Sequence, residues 1–227
     1  MPEQKQLTQP SPETRPARAE NGRLVYEDER GLLDLPAPRL GGRHQFVNAA
    51  AAIAALRTGF PDLPTDAYAR GMSEAQWPAR LQHLTRGRLL ALAPSGTDLW
   101  LDGGHNEHGG RVLADAMADL QDRASRPLIL ICGTLGTKDT AGFLRPFKGL
   151  AQEVLAVPVA GEHAGRAAGE VAALAASVGL ASAACAGVEA ALRYLSARAW
   201  PQPPRVLIAG SLYLAGAVLS SNGTPVD

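Results

Sequence analysis

The chain has 227 residues, and its 22 basic and 22 acidic residues sum to a formal net charge of zero. A dedicated nucleic-acid binder usually carries a basic excess, so this class is disfavoured. Hydrophobic residues make up 46% of the chain and charged residues 19%, which is typical of a globular protein and argues against wholesale disorder.

The sequence carries no pattern typical of export or of a membrane span. The polar N-terminal segment lacks the apolar core of a secretory signal, and the longest apolar run, residues 206–219, is too short to cross a bilayer. Cys132 and Cys185 both lie in apolar runs, which is typical of buried free thiols in a reducing compartment. We therefore expect a cytoplasmic protein that contacts neither a membrane nor nucleic acid.

The first third of the chain predicts a hairpin followed by two helices. Residues 1–21 show no apolar period and are expected to be either mobile or a cut end. Apolar runs on either side of a charged turn predict the hairpin, and apolar residues at helical spacing predict the helices. The predicted elements are strands at 24–26 and 32–35, a helix at 43–58, and a helix at 65–75 capped by Thr65.

From residue 77 onward the pattern changes to alternating strands and helices. A second hairpin is predicted from residues 87–92 and 99–102, joined by a turn at 94–97. Beyond it we predict helices at 108–124, 140–150, 164–178, 188–200 and 212–220, and strands at 127–132, 153–158, 181–185 and 205–209. This order predicts an α/β fold, a Rossmann-like and mostly parallel sheet with helices on both faces.

The strongest local pattern is Asp-Gly-Gly-His-Asn at the end of an apolar strand. Ligands of open α/β sheets bind beyond the carboxyl ends of the strands, so Asp102 is placed to accept hydrogen bonds from a ribose, with His105 and Asn106 as donors beside it. Alternatively, Asp102 and Asn106 only satisfy turn amides, Asn106 capping the next helix. A metal site of Asp102, His105 and His108 is disfavoured, because no further Cys or His cluster lies nearby.

Two more candidates lie upstream of this loop. His44, Gln45 and Asn48 share one face of the first predicted helix, and an amide such as Asn48 can read a base edge because it offers both a donor and an acceptor. Arg80 is suited to a phosphate by its forked guanidinium. The alternative for the His44, Gln45 and Asn48 face is an ordinary solvated stripe. The alternative for Arg80 is a surface arginine on a linker.

Two weaker candidates lie downstream. The loop at residues 132–139 follows an apolar strand but lacks the residue order of a Walker A motif, and its Lys138 is a possible contact for an anionic substrate. Ser211 either caps the last helix or presents its hydroxyl and amide groups to a carboxylate.

Four segments, in this order, resemble the folylpolyglutamate synthase/dihydrofolate synthase branch of the ATP-dependent Mur ligase family. They are residues 42–56 (GRHQFVNAAAAIAAL), 77–82 (WPARLQ), 101–106 (LDGGHN) and 210–216 (GSLYLAG). The LDGGHN segment is similar to the folate-ligase form of that motif rather than to the peptidoglycan-precursor form. Glu107 stands where the family usually has proline, and an acidic residue in a first helical turn is compatible with the helix dipole.

The resemblance implies a fold and an activity. Residues 1–75 would be the tail of the central ATPase domain, and residues 76–227 the Mur ligase C-terminal domain. The family activates a folate or dihydropteroate carboxyl group with ATP and Mg²⁺ as an acyl phosphate, which the amino group of L-glutamate then attacks. Because an acyl phosphate hydrolyses readily, the domains must close and exclude water.

The resemblance also implies site roles. ATP would be bound at its adenine by Asn48, at its ribose by Asp102 with Asn106 beside it, and at its phosphates by Arg80. The catalytic role would fall to His105, which supports the closed site. Lys138 and Ser211 would contact the incoming glutamate.

The sequence contains no Gly-x-x-x-x-Gly-Lys-Ser/Thr segment. We therefore expect the phosphate loop and the magnesium ligands in a missing ATPase domain, supplied in cis or as a separate chain, and no turnover by this chain alone. Two alternatives stay open: another Mur-type amide ligase (muramyl-peptide or cyanophycin), and a non-catalytic Rossmann-like binding module. A dehydrogenase is disfavoured because no Gly-x-Gly-x-x-Gly follows a strand.

Overall fold

The computed structural model describes residues 17–161 and 164–224. The chain divides into two compact units, one up to Gln76 and the other from Trp77 onward. No helix in the described part of the chain is both long and apolar enough to cross a membrane.

The first unit is a three-stranded antiparallel sheet with two helices. Its elements are β1 (Ala17–Glu20), β2 (Arg23–Asp28), β3 (Gly31–Pro36), α1 (His44–Gly59) and α2 (Thr65–Glu74), with the strands in the order β1-β2-β3. The predicted hairpin and the two helices are confirmed. The core is formed by the fully buried Leu24, Leu35 and Ile53 with Tyr26 and Tyr68 packed around them.

Two expectations for this unit are wrong. The segment predicted to be mobile contains β1, whose four residues are mostly exposed and therefore show no apolar period; β1 forms because it pairs with β2 across the Asn21-Gly22 turn. The remainder of that prediction, residues 1–16, lies outside the described residues. Thr65 does not cap α2, because the N-cap position is Pro64 and no side chain bonds there.

The second unit is a six-stranded sheet between two layers of helices. The strands are β4 (Gln82–His83), β5 (Asp98–Leu101), β6 (Leu128–Cys132), β7 (Glu153–Ala156), β8 (Ser182–Ala184) and β9 (Arg205–Ala209). The helices are α3 (Glu107–Arg123), α4 (Thr140–Leu144), α5 (Ala168–Ser177), α6 (Val188–Ser196) and α7 (Leu212–Asn222). The order is β4-β5-β9-β6-β7-β8, and only β4 is antiparallel to its neighbour.

Each face of this sheet has its own hydrophobic core. Helices α6 and α7 cover one face, and α3, α4 and α5 cover the other. The central strands β6 and β9 are buried at every residue, as parallel strands covered on both sides must be. The predicted Rossmann-like α/β fold is confirmed.

The predicted second hairpin is wrong. The antiparallel partner of β5 is β4, whereas residues 90–92 form one 3₁₀ turn. The segment before that turn is tied to the end of α7: Asn222 accepts a hydrogen bond from the Leu89 amide at 2.9 Å and donates one to the Arg86 carbonyl at 2.9 Å. Because Asn222 satisfies these backbone groups, they make no strand ladder with β5.

Three predicted helices are shorter than expected, each for a local reason. Helix α4 gives way to a 3₁₀ turn at Arg145–Phe147, where Pro146 has no amide to donate. Helix α5 begins at Ala168 because Gly165 forms a β-bridge with Leu135 instead. Helix α6 ends at Ser196, where the Trp200 indole donates to the Leu195 carbonyl at 2.8 Å.

Both cysteines are free thiols. Cys132 is fully buried at the end of β6, and this burial raises the pKa of its thiol to about 12. Cys185 is half-buried, and its burial together with the charge of Glu153 raises the pKa of its thiol.

Candidate functional site

Three loops meet at the carboxyl edge of the sheet in the second unit. They follow β5, β9 and β6, the adjacent central strands. The amide of Gly210, after β9, donates to the carbonyl of Gly104, after β5, at 2.8 Å. Gly210 has φ 111°, and a Cβ there would lie 2.7 Å from the carbonyl oxygen of Gly133, after β6. Glycine is therefore required for this close approach of the three loops.

Asp102 braces the loop that follows β5. The residue is 6% exposed, and its two carboxylate oxygens accept hydrogen bonds from different segments: Oδ1 from the Gly104 amide at 2.6 Å and Oδ2 from the Leu81 amide at 2.7 Å. The turn-amide alternative therefore describes contacts that Asp102 does make. A contact between Asp102 and a ribose stays a prediction.

Asn106 and His105 are both ordered by the same loop. Asn106 is the N-cap of α3, and its side-chain oxygen accepts from the Gly109 amide at 2.8 Å, as predicted. The His105 Nδ1 lies 2.9 Å from the Gly103 carbonyl oxygen. Because a carbonyl only accepts, Nδ1 carries the proton, and Nε2 is the ring atom with a lone pair in the neutral imidazole.

The metal alternative receives no support. Nowhere in residues 17–161 and 164–224 do three or more His, Cys, Asp or Glu side chains converge in a group that could hold a metal ion. Asp102, His105 and His108 therefore do not form such a group.

Arg80 lies on a tight turn that we call the Arg80 turn, residues Ala79 to Gln82. The residues on either side of Arg80 have left-handed backbones, with φ 55° at Ala79 and φ 42° at Leu81. Ala79 accepts a hydrogen bond from the Gly103 amide at 2.9 Å, so the turn is attached to the loop after β5. Arg80 itself is exposed and forms no ion pair with any residue that the structure describes.

Lys138 lies in the loop between β6 and α4. Asp139 caps α4 by accepting from the Gly142 amide at 2.8 Å, and Lys138 is half-buried. Arg166, from the segment before α5, donates to the Gly136 carbonyl at 2.9 Å and to the Lys138 carbonyl at 3.4 Å. Its Nε is buried and has no hydrogen-bond partner among the described residues. The sequence offered no signal for Arg166, because it lies far along the chain from the loop that it holds.

Ser211 is 2% exposed, and its hydroxyl oxygen accepts from the Tyr213 amide at 3.1 Å. It is the N-cap of α7, so the capping alternative describes what the residue does in the fold. A contact between Ser211 and a substrate carboxylate stays a prediction.

The amide candidate Asn48 belongs to the first unit. Asn48 is exposed and donates to the Gln45 side chain at 3.0 Å, and the Gln45 amide lies 2.9 Å from His44 Nε2. Gln45 is only 6% exposed, so the three residues are not an ordinary solvated stripe. They form a hydrogen-bonded chain in which the buried Gln45 connects the half-buried His44 to the exposed Asn48.

The fold and these loops define a class of protein. The second unit is a parallel α/β protein whose polar residues cluster beyond the carboxyl ends of its central strands, which is where nucleotides and anions bind in such sheets.

Comparisons with known proteins narrow the class. No protein-family model matches the chain. A folylpolyglutamate synthase from Lacticaseibacillus casei is 33% identical over 145 residues, which cover 61% of this chain and 31% of that protein. The structure of E. coli FolC in complex with DHPP and ADP has a TM-score of 0.73 at 24% identity, covering 90% of this chain and 44% of the other.

A third relative is the bifunctional folylpolyglutamate synthase/dihydrofolate synthase with Mn, AMPPNP and L-glutamate bound. It shares 26% identity and a TM-score of 0.68, over 89% of this chain and 44% of the other. The chain thus spans less than half the length of these relatives. The resemblance inferred from the sequence is confirmed: the chain is similar in sequence and fold to folylpolyglutamate synthase/dihydrofolate synthase enzymes.

Proposed function

We propose that this chain is the carboxy-terminal portion of an ATP-dependent folylpolyglutamate/dihydrofolate synthase. The complete enzyme would join L-glutamate to the carboxyl group of a folate or dihydropteroate through an acyl phosphate. One relative of this chain was solved in complex with DHPP and ADP, and another with Mn, AMPPNP and L-glutamate bound. Their bound molecules support the same substrates, ATP and Mg²⁺ for the chain described above.

One observation carries the proposal: Asp102 connects the glycine turn after β5 to the Arg80 turn. This contact brings a carboxylate suited to a ribose and a guanidinium suited to phosphates to one end of the sheet. The residues fit a nucleotide, since Arg80 is exposed and has no carboxylate partner in the described part of the chain. Forked guanidinium groups bind phosphate oxygens in pairs.

Bound ATP would supply the phosphoryl group that activates the carboxylate. This chain's residues would bind and orient it: Asp102 accepts from the ribose hydroxyls, Arg80 donates to the phosphates, and Asn48 reads the adenine edge. Asn106 keeps the start of α3 in place behind Asp102. His105 would support the closed site through Nε2, its Nδ1 being held by the loop itself.

The incoming amino acid requires cationic or N–H groups for its carboxylates. Lys138 is one candidate, because Arg166 holds the backbone of its loop, and Gly133 at the start of that loop lies against Gly210 after β9. Ser211 is the second candidate, through its hydroxyl proton, since its oxygen already caps α7. Both assignments are proposals.

The phosphate loop and the Mg²⁺ ligands are assigned to an ATPase domain outside this sequence, in cis or as a separate chain. The sequence contains no Walker A segment, and no group of three potential ligands converges within the described ranges. The residues that the structure describes therefore do not form a metal site.

The test is calorimetric titration of the purified chain with ATP, comparing wild type with Asp102→Asn. We expect the variant to bind ATP at least about tenfold more weakly, as loss of a charged hydrogen-bond partner implies. Asp98→Asn is the matched control: Asp98 begins β5 at the opposite end of the same strand, where it pairs with the buried Arg205 at 2.7 Å. It reports the effect of losing a half-buried, ion-paired carboxylate far from the site.

Each alternative predicts a different result. A non-catalytic binding module predicts ATP binding that Asp102→Asn does not change more than Asp98→Asn does. Another Mur-type ligase predicts that a nucleotide-linked muramyl peptide, and not a folate, raises the melting temperature of the complete enzyme. Either result would refute the proposal.

A further inference from the structure

The Arg80 turn has an unusual backbone. Among the described residues only Asn21, Ala79 and Leu81 combine a side chain with a positive φ, and two of these three flank Arg80. A left-handed backbone costs an ordinary L-residue about 1–2 kcal/mol. Such residues persist only where their surroundings over-determine the conformation, and they concentrate at functional sites.

Three hydrogen bonds hold this turn from different directions. The Ala79 amide donates to the Gln82 side-chain oxygen at 2.9 Å, the Leu81 amide donates to Asp102 at 2.7 Å, and the Ala79 carbonyl accepts from the Gly103 amide at 2.9 Å. Gln82 is itself fixed, because it lies in β4 and pairs with Leu101 in β5.

The turn buries its flanks and exposes its tip. Ala79 is 4% exposed and Leu81 is 8% exposed, so both pack into the protein, whereas the Arg80 side chain between them is exposed. Leu81 belongs to the core on one face of the sheet and Ala79 to the core on the other. The guanidinium is thus presented from a backbone that is anchored on both sides.

We propose that Gln82 is a positioning residue, which together with Asp102 holds Arg80 in place for the phosphate groups of a nucleotide. The inference rests on the proposed function for the identity of the ligand. It rests on the three hydrogen bonds for the fixed backbone of the Arg80 turn, which we call the clamp. The strained turn is already formed without a ligand, so less conformational entropy is lost on binding. Gln82 would act only through Arg80 and touch no ligand.

A double-mutant cycle with ADP as the probe tests this role in the full 227-residue chain. Gln82→Met keeps the side-chain length and removes the acceptor. We expect it to weaken ADP binding about tenfold, which is the effect of losing one charged hydrogen bond between a displaced Arg80 and a phosphate, and to leave adenosine binding unchanged. In an Arg80→Met background the same change should not weaken ADP binding further, because both substitutions remove the same interaction between Arg80 and the phosphates.

Amide hydrogen exchange tests the clamp without any ligand. We expect the Ala79 amide to exchange faster in Gln82→Met and to stay protected in Gln82→Glu, whose carboxylate still accepts the bond. The Leu81 amide, bonded to Asp102, is the internal control and should keep its protection in both variants.

The outcomes separate the two proposals. Equal protection of the Ala79 amide in wild type and Gln82→Met overturns the clamp. Additive effects in the cycle, or equal losses for ADP and adenosine, overturn the positioning role. If wild type binds no ADP while the exchange results are as expected, the clamp stands and the nucleotide function is refuted.

Discussion

The left-handed backbone at Ala79 predicts an unusual response to glycine. Replacing Ala79 by glycine relieves about 1–2 kcal/mol of backbone strain at φ 55°. It also loses one buried methyl group, about 0.8 kcal/mol, and adds about 0.5–1 kcal/mol of chain entropy in the unfolded state. We expect these terms to cancel, leaving the free energy of unfolding within about 1 kcal/mol of wild type.

A matched control is Ala191→Gly. Ala191 is fully buried in α6, where glycine costs about 1 kcal/mol of helix propensity and about 0.8 kcal/mol for the lost methyl group. This variant should therefore lose about 2 kcal/mol. Urea unfolding followed by tryptophan fluorescence measures both, since all three tryptophans, at positions 77, 100 and 200, belong to the second unit. Equal losses in the two variants would show that the backbone at Ala79 is not strained.

Three further predictions concern packing, pH and turnover. A Cβ at Gly110 would overlap the carbonyl of Phe143, so Gly110→Ala should lower the free energy of unfolding in urea by about 1–3 kcal/mol. Gly216 lies in open space on α7, so Gly216→Ala should raise the free energy of unfolding by about 0.4–1 kcal/mol. Destabilisation by both variants would contradict the tight α3–α4 contact. Desolvation raises the pKa of Asp28, but a backbone hydrogen bond and the charge of Arg57 outweigh it and hold the pKa below its usual value. The ionised Asp28 therefore stabilises the folded state above the unfolded-state pKa, and this stabilisation is lost as the pH falls through the folded-state pKa. Exchange of the hairpin amides between pH 5 and pH 2 should show this loss in wild type and less of it in Arg57→Met, and identical acid dependence would count against the ion pair. Finally, the chain alone should release no ADP from ATP in the presence of folate and glutamate, and measurable release above a heat-denatured control would contradict our placement of the phosphate loop.

The elements that the sequence predicted well depend on short-range patterns. Strand β9 has its predicted bounds, because a continuous apolar run is flanked by prolines on one side and Gly210 on the other. Asn106 caps α3 because an Asn side chain three residues before an amide satisfies it locally. The strand β4 has only two residues and no period, so no pattern in its own sequence could indicate that it, rather than residues 87–92, pairs with β5.

For the candidate site, residue types and element order predict which chemical groups lie at the ends of the strands: a carboxylate, an arginine, an imidazole and a lysine, on loops that the α/β order places at one edge. Which of these groups hold one another depends on the folded arrangement of the loops. Gln82 and Arg166 act on backbone groups of loops that other parts of the chain bring to them, and Asp102 joins two segments 21 residues apart. A hydrogen bond depends on distance and angle in space, and a one-dimensional pattern encodes neither for residues so far apart in the chain.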